Sequence, residues 1–236
     1  MKLVVANEIT ELFPDLRIAY VVVTGIDNRG VSEELQAQKK AAAEAMFSDW
    51  SNETLTATEE IQAWRNAYKA FGQKPKRSRP TAEAFLRRLI RGDDFPTISK
   101  AVDSYLLAET EFRLPVGGYD LDRIAGDIRL YRSAGGEAFT PIGGDDEQTS
   151  DGEIVYADES RVLTRKWNYR DCDHTKITEQ STSIGLFTEA PYESVTTKNL
   201  AGCIERIATY VTAHCGGNAE IGICNAADSG ETTLPL

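Results

Sequence analysis

The spacing of apolar residues changes at about residue 114, and this change restricts the fold more than any other feature of the sequence. Before it, apolar residues mostly recur three and four positions apart, which places them on one face of a helix. After it, short β-branched runs alternate with glycine pairs and turn residues, which is typical of strands. Helices followed by a run of strands predict an α+β fold, with helices covering a sheet-rich core.

Individual elements follow from the same patterns. We predict an opening strand and helix, followed by a buried strand over 18–24. Four helices are then predicted: from Ser32 towards Trp50, from Thr56 to Gly72, from Pro80 to Gly92, and over 97–109. A capping box formed by Thr56 and Glu59 starts the second of these helices, and Ile98 is expected to be buried in the fourth. Gln38 and Lys39 interrupt the apolar stripe of the first of these helices. Further strands are predicted over 127–132, 153–157, 162–167 and 183–188, followed by a helix over 200–213 and a Gly-rich, acidic tail. Since no linker divides the chain, residues 1–236 are predicted to form one domain.

Charge is unevenly distributed along the chain. The formal net charge of -11 argues against sequence-independent attraction to nucleic acid, so we expect no DNA partner. Residues 65–91 nevertheless contain nine Lys and Arg against one acid, whereas residues 133–160 contain eight acids and neither Lys nor Arg. Two interpretations remain open: a polyanion held by the basic segment, or a basic helix that is only solvated.

The chain shows none of the patterns that mark export, membrane insertion or metal binding. Its four cysteines form no C-x-x-C pair, and its two histidines lack zinc-ligand spacing, so neither a metal nor a cofactor is predicted. We expect no membrane span and no signal peptide, because the longest apolar run, 18–23, is short and the first apolar residues lead directly into Asn7 and Glu8. These features predict a cytoplasmic protein.

Two segments carry candidate binding groups. Residues 167–178 combine aromatic, amide, cationic, acidic and hydroxyl side chains, which suits a polar ligand or, alternatively, a structural loop held by Asx turns. In the strand that contains Glu189, the period of two places this carboxyl on the face of Gly185 and Phe187, beside an open space. Glu189 therefore either pairs with a structural arginine or reads a ligand hydroxyl or ammonium.

Several ordered motifs together resemble freestanding B3/B4-domain proteins, which are similar to the tRNA-binding and editing domain of the phenylalanyl-tRNA synthetase β chain. The resemblance covers roughly residues 61–192. The motifs are Tyr-Lys-Ala-Phe-Gly-x-Lys-Pro-Lys at 68–76, Ser-Arg-Pro-Thr-Ala-Glu at 78–83, Leu-Pro-Val-Gly-Gly-Tyr-Asp at 114–120, Gly-Gly-Glu at 135–137, Gly-Glu-Ile-Val-Tyr-Ala-Asp at 152–158 and Trp-Asn-Tyr-Arg at 167–170. It implies an α+β fold of three layers, with a β-sandwich of unusual topology and an N-terminal helical layer.

The resemblance also implies hydrolysis of the ester bond of mischarged tRNA. Glu189 resembles the editing-site glutamate, whereas Gly117 stands where the synthetase domain has its editing histidine. His174 and Thr178 are the alternative catalytic candidates, and N–H donors around Gly117 and Gly118 could stabilise an oxyanion. Substrate contacts are expected from Tyr119, Asn168, Arg170 and Phe187. Contacts to tRNA phosphates are expected from Lys74, Lys76, Arg77, Arg79, Arg87, Arg88 and Arg91.

Three hypotheses follow for the function. The first is an aminoacyl-tRNA deacylase that acts in trans on the aminoacylated 3′ end and that is not a complete phenylalanine-tRNA ligase. The second is a non-catalytic tRNA- or RNA-binding module that has lost the editing histidine. The third is a scaffold that binds another small molecule. The amino acid, the tRNA and the oligomeric state are left open by the sequence.

Overall fold

The computed structural model describes residues 1–235. Its helices are α1 Asn7–Leu12, α2 Glu33–Asp49, α3 Asn52–Ala57, α4 Glu59–Ala70, α5 Thr81–Ile90, α6 Lys100–Phe112 and α7 Thr197–Cys215. Its strands are β1 Lys2–Val5, β2 Arg17–Thr24, β3 Val116–Asp120, β4 Ile128–Ala134, β5 Ala138–Phe139, β6 Glu147–Gln148, β7 Asp151–Ala157, β8 Val162–Arg165, β9 Arg170–Asp171, β10 Ser183–Ala190, β11 Asn218–Asn225 and β12 Glu231–Thr233.

An antiparallel sheet with the order β11-β2-β10-β3 lies at the centre of the fold. Strand β2 is apolar at nearly every position because both of its faces are covered. Ile18 and Val22 contribute to one apolar core, and Val21 and Val23, on the opposite face, contribute to another. The period of two in strands explains this division between the faces.

A layer packs on each face of the central sheet. The Ile18 face contacts a second sheet, with the order β12-β1-β4-β7-β8-β9, and the two sheets form a sandwich. The opposite face is covered by α6 and α7, and α2, α3 and α5 pack outside α6 around a third apolar core. The predicted α+β fold with a β-sandwich and a helical layer is confirmed. The helical layer also includes the C-terminal helix α7.

The polar interruption predicted in α2 is a buried contact between helices. Lys39 Nζ lies 2.5 Å from Asp103 Oδ2 on α6, and the two side chains are 3% and 2% exposed. Lys39 Nζ also donates to Thr97 Oγ1 at 3.0 Å and to Gln36 Oε1 at 3.1 Å. The apparent gap in the apolar stripe is therefore the position at which α2 is joined to α6.

Two predicted details of the helices are wrong. The capping box lies at Ser51 and Thr54, where it starts the short helix α3, whereas Thr56 lies inside α3. Ile98 is 58% exposed because α6 starts only at Lys100, after Ser99 accepts a hydrogen bond from a backbone N–H of the first turn. In both cases a hydroxyl side chain with its own backbone partner sets the start of the helix.

The C-terminal tail contains strands that the sequence pattern did not indicate. Strand β11 pairs with β2 over eight residues, and β12 pairs with β1. Most of β11 is exposed or half-buried, so its sequence lacks the apolar alternation of a covered strand. Pairing with β2, rather than local sequence preference, determines its conformation.

Candidate functional site

A narrow cavity of about 70 Å³ lies between the two sheets of the sandwich. We call it the inter-sheet cavity. It is lined by Thr81, Val116, Gly117, Tyr119, Tyr156, Thr164, Trp167, Asn168, Tyr169, Arg170, Asp171, Phe187 and Glu189. Six predicted site residues are among them: Gly117, Tyr119, Asn168, Arg170, Phe187 and Glu189. A larger depression of about 570 Å³ lies beside α2, and no predicted site residue lines it.

The pairing of β3 with β10 places the predicted residues on one face. Gly117 lies opposite Phe187, and Tyr119 lies opposite Gly185. Glu189 shares this face, but the space at Gly185 is not open, because the Phe187 ring and the side chain of Leu121 lie 3.2 and 3.0 Å from where a Cβ would stand. The same position at Gly117 has no atom within 4 Å. The open space therefore lies at Gly117.

Glu189 is a buried carboxyl whose partner is a tyrosine of the opposite sheet. Tyr156 Oη donates to Glu189 Oε1 at 2.8 Å, and Glu189 is 3% exposed. Burial raises the pKa of Glu189 to about 8, and the negative charge of nearby Asp171 adds to the shift. The carboxyl is thus largely protonated at neutral pH. The sequence suggested either a structural arginine or a ligand group as the partner of Glu189, and neither describes this pairing with Tyr156.

Asp171 is a second carboxyl of the cavity, and sequence reasoning assigned it only a structural turn. Thr164 Oγ1 donates to Asp171 Oδ1 at 2.7 Å and lies 2.6 Å from Tyr119 Oη. Burial raises the pKa of Asp171 to about 6. Its position in the polar segment 167–178 was the one feature of the sequence that could have identified Asp171 as a residue of the site. Its proximity to Glu189 depends on the pairing of β9 with β8, which the sequence does not reveal.

Asn168 lines the cavity and has a side-chain nitrogen without a hydrogen-bond partner. Its Oδ1 lies 2.8 Å from Tyr68 Oη, which is also 2.8 Å from the carbonyl oxygen of Lys166, and its buried Nδ2 has no partner among residues 1–235. The preceding residues Lys166 and Trp167 have φ values of 48° and 68°, in the left-handed region that non-glycine residues rarely adopt. Such backbone strain is concentrated at functional sites. An acceptor on a ligand would satisfy Asn168 Nδ2.

A groove of about 450 Å³ adjoins the cavity. It is lined by Gly72, Gln73, Lys74, Arg77, Ser78, Lys166 and Tyr169, and we call it the basic groove. Tyr169 lines both the groove and the inter-sheet cavity. The ammonium of Lys166 lies 5.0 Å from the centre of the Tyr169 ring. The two sites therefore meet at this ring.

Ion pairs divide the predicted phosphate-binding cations into two groups. The paired cations are Arg79 and Arg87 with buried Glu83, and Arg88 and Arg91 with Asp93. Arg65, which was not among the predicted contacts, also pairs with Glu83, at 2.6 Å. Within residues 1–235 no ion pair involves Lys74, Lys76 or Arg77, all of which are exposed. The loop rather than the helix thus presents the free positive charge.

A family model described as the B3/4 domain matches residues 63–216, which is well over half of the chain and includes every residue of the inter-sheet cavity. The chain belongs to the B3/4 domain family. A stretch of 155 residues is 23% identical to the phenylalanine–tRNA ligase beta subunit of Fusobacterium nucleatum, covering 57% of this chain and 19% of that subunit. The chain thus corresponds to about a fifth of that relative.

A solved structure is also similar to this chain. It is an N-terminal fragment of the phenylalanyl-tRNA synthetase beta subunit from Pyrococcus horikoshii, with 13% identity and a TM-score of 0.48. The similarity covers 92% of this chain and 49% of that fragment.

Three predicted catalytic positions of this B3/4 domain lie outside the cavity. His174 is exposed and lines a separate depression with Cys172 and Phe139. The carbonyl of Thr178 accepts a hydrogen bond from Asn28 Nδ2 at 2.7 Å. Gly118 faces the other side of β3, since a Cβ there would lie 2.4 Å from Leu186 Cδ2. None of these three residues lines the inter-sheet cavity.

The two glycines differ as candidate oxyanion donors. The N–H groups of Val116 and Asp120 donate to partners outside β10, at 2.6 and 3.0 Å. Because N–H direction alternates along a strand, the N–H of Gly118 also points away from β10, and that of Gly117 points into the pairing with β10. Asn168 Nδ2 is a second buried donor without a partner among residues 1–235.

The predicted substrate contacts differ in their freedom to bind. Tyr119 and Phe187 are buried in the cavity wall, with ring centres 5.7 Å apart. Arg170 is 48% exposed at the rim, and its Nη1 lies 3.0 Å from Glu147 Oε1. An anion at the rim would therefore compete with Glu147 for this guanidinium.

The adjacent glycines of β3 should respond oppositely to substitution by alanine. We expect Gly118→Ala to lower the free energy of unfolding by about 1 to 3 kcal/mol, because its Cβ would overlap buried Leu186 and Ile177. Gly117→Ala should stay within about 1 kcal/mol of wild type, because its Cβ enters open space. Urea unfolding measures both values, and equal losses would contradict the assigned faces.

No group of three or more His, Cys, Asp or Glu side chains within residues 1–235 is arranged to hold a metal ion. In the same part of the chain, no helix has the length and apolar character needed to cross a membrane.

Proposed function

We propose that this B3/4 domain hydrolyses the ester bond of aminoacyl-tRNA, acting in trans on its 3′ end. The observation that carries the proposal is the junction of two sites at Tyr169: a cavity with polar groups suited to an ester, and a groove with free cations suited to the sugar-phosphate chain. The phosphates would lie against the groove and the amino acid would enter the cavity. Similarity to the beta subunit of a tRNA ligase supports tRNA as the nucleic acid.

The cavity holds the groups that ester hydrolysis needs. A carboxylate with a pKa of about 6 is unprotonated at neutral pH and is basic enough to accept a proton from water. We assign this role to Asp171, which Thr164 orients. Asn168 Nδ2 would donate to the carbonyl oxygen as negative charge develops there.

The reaction then proceeds by addition of water and loss of the ribose. The water oxygen forms a bond to the ester carbon while Asp171 accepts its proton. The bond between that carbon and the ribose oxygen breaks next, and the proton passes to the ribose oxygen. The products are the free amino acid and uncharged tRNA. Protonated Glu189 carries no charge that would repel the carboxylate of Asp171 or the leaving amino acid.

The test is release of labelled amino acid from a panel of correctly and incorrectly charged tRNAs, tyrosine on phenylalanine tRNA included. We expect Asp171→Asn to reduce kcat by about 10²-fold or more, because an amide cannot accept the proton. For the wild type, kcat/KM should fall as the pH drops below about 6, where Asp171 becomes protonated. Asp173→Asn is the matched control, since Asp173 lies outside the cavity and pairs with Lys176.

The outcomes separate the function from the assigned base. Absence of release from every charged tRNA would contradict hydrolysis. Release that is equal in the wild type, Asp171→Asn and Asp173→Asn would retain hydrolysis but exclude Asp171 as the base.

The basic groove makes its own prediction for tRNA binding. The double variant Lys74→Ala/Arg77→Ala should weaken binding and should reduce the slope of log Kobs against log salt by roughly 1 per cation removed. Lys40→Ala/Lys198→Ala is the control, since both lysines are exposed and lie outside the groove. Fluorescence anisotropy with labelled tRNA between about 50 and 200 mM salt measures the slope. Equal slopes in both double variants would contradict the groove as the phosphate site.

A second candidate function is tRNA binding without turnover. Gly117 favours it, because the resemblance places a histidine at this position. Binding that depends on Lys74 and Arg77, with no release of any amino acid, would establish this function instead. Negligible affinity for tRNA at moderate salt would favour the third hypothesis, a small-molecule ligand.

A further inference from the structure

We propose that the inter-sheet cavity accepts a small hydroxylated side chain, that of serine or threonine, and that Tyr156 is the residue that excludes aromatic side chains. This inference rests on the proposed function, because it names the amino acid of that substrate. It concerns selection by the cavity, separately from the hydrolytic step.

The size of the cavity limits the side chain. Its volume is about 70 Å³. A cavity of about 150 Å³ holds one benzene ring, so this cavity is less than half as large as a ring requires. A hydroxymethyl or hydroxyethyl group fits within it, whereas a phenol ring does not. The open space at Gly117 is already included in this volume, so it provides no additional room for a larger side chain.

The aromatic walls are held in place by hydrogen bonds. Tyr156 Oη donates to Glu189 at 2.8 Å, and Tyr119 Oη lies 2.6 Å from Thr164 Oγ1. The ring centres of Tyr119 and Tyr156 are 6.5 Å apart, and that of Phe187 lies 6.4 Å from that of Tyr156. Rotation of either tyrosine away from the cavity would leave a buried carboxyl or hydroxyl without its partner, which is costly. The walls therefore resist opening for a larger side chain.

The polar groups of the cavity favour a hydroxyl over a methyl group. Tyr156 occupies Oε1 of Glu189, whereas Oε2 makes no hydrogen bond to any residue in the range 1–235. A side-chain hydroxyl could bond to this oxygen. An alanine side chain offers no group that could bond to this oxygen, so the site favours a hydroxyl over a methyl group. Serine and threonine meet both the size limit and the polarity.

The experiment uses the full chain and two kinds of probe. The first is a set of tRNAs charged with serine, threonine, alanine or tyrosine, for which kcat/KM of release is compared. The second is a pair of uncleavable amides, 3′-seryl- and 3′-tyrosyl-amino-3′-deoxyadenosine, for which Kd is measured by calorimetry. The variant Tyr156→Val shortens the wall, and Tyr156→Phe is the matched control that keeps the ring but loses the hydroxyl.

We expect the wild type to prefer the seryl over the tyrosyl probe by about 100-fold and over alanyl-tRNA by about tenfold. Tyr156→Val should reduce the serine-over-tyrosine ratio at least tenfold, whereas Tyr156→Phe, which keeps the ring but not its hydrogen bond to Glu189, should reduce the ratio less than Tyr156→Val does. Circular dichroism and urea unfolding establish that both variants are folded. A wild type that binds or cleaves the tyrosyl probe as well as the seryl one, or a ratio unchanged in Tyr156→Val, would overturn the inference.

Failure of the proposed function has a different signature. If the amides bind with the expected preference but no charged tRNA is cleaved, the selection by the cavity stands and the hydrolysis does not. If neither amide binds and no charged tRNA is cleaved, both are wrong.

Discussion

Replacing Lys39 by methionine should lower the free energy of unfolding by about 3 to 5 kcal/mol, because it leaves the charge of Asp103 buried without its cation. Lys39 Nζ and Asp103 Oδ2 are 2.5 Å apart, and neither side chain is more than 3% exposed. Asp103 Oδ1 also accepts a hydrogen bond from the Ile98 N–H at 2.9 Å, so the carboxylate cannot move to solvent without losing this contact. Urea unfolding at pH 7 measures the loss.

Two further variants distinguish a lost ion pair from a lost side chain. Lys39→Met/Asp103→Leu should be closer to wild type than Lys39→Met, because an apolar pair of similar volume leaves no uncompensated charge. Lys40→Met, at the neighbouring position, should change stability by less than about 0.5 kcal/mol, since Lys40 is 78% exposed. Asp103→Leu alone completes the comparison, and a double variant as unstable as the sum of Lys39→Met and Asp103→Leu would show that the two residues contribute independently.

Glu189→Gln should make the protein more stable at alkaline pH and should remove part of its pH dependence. The pKa of Glu189 is raised to about 8 in the folded state, above the ordinary value of 4.5. The folded protein thus retains a proton that the unfolded chain loses, so this group's contribution is complete below about pH 4.5 and is lost as the pH rises towards 8. Glutamine keeps an acceptor for Tyr156 Oη and has no proton to lose.

The expected gain from Glu189→Gln over wild type is close to zero at pH 4.5 and reaches about 3 to 5 kcal/mol at pH 8. Urea unfolding at pH 5, 6.5 and 8 measures it. Glu193→Gln is the control, because Glu193 is exposed, and its stability should follow that of wild type across the range. Parallel curves for wild type and Glu189→Gln would contradict a protonated carboxyl in the cavity.

Local patterns were sufficient to predict the elements whose faces are strongly apolar. The spacing of apolar residues predicted the helix between Pro80 and Gly92, in which Ala82, Phe85, Leu86 and Leu89 are buried, and the β-branched run predicted the buried strand β2. The period of two in β10 placed Glu189 on the face of Phe187. Each inference depended on residues adjacent in sequence, where the geometry of the element determines which residues share a face.

Contacts between distant segments could not be predicted in the same way. The basic segment contains one acid, Glu83, which is fully buried and pairs with three arginines, a contact that the sequence pattern did not indicate. Asp171 gains its raised pKa from burial against β8, although its sequence neighbours indicate a turn. Strand pairing and burial determine the chemistry of both residues.

The turn over 166–169 contributes residues to both sites. Lys166 and Tyr169 line the basic groove, and Trp167, Asn168 and Tyr169 line the inter-sheet cavity. Two left-handed residues leave this turn few alternative conformations, so a ligand that moves it in one site changes the shape of the other. If a ligand in the groove changes the affinity of the cavity for its own ligand, thermodynamic reciprocity requires that occupancy of the cavity change the affinity of the groove by the same factor.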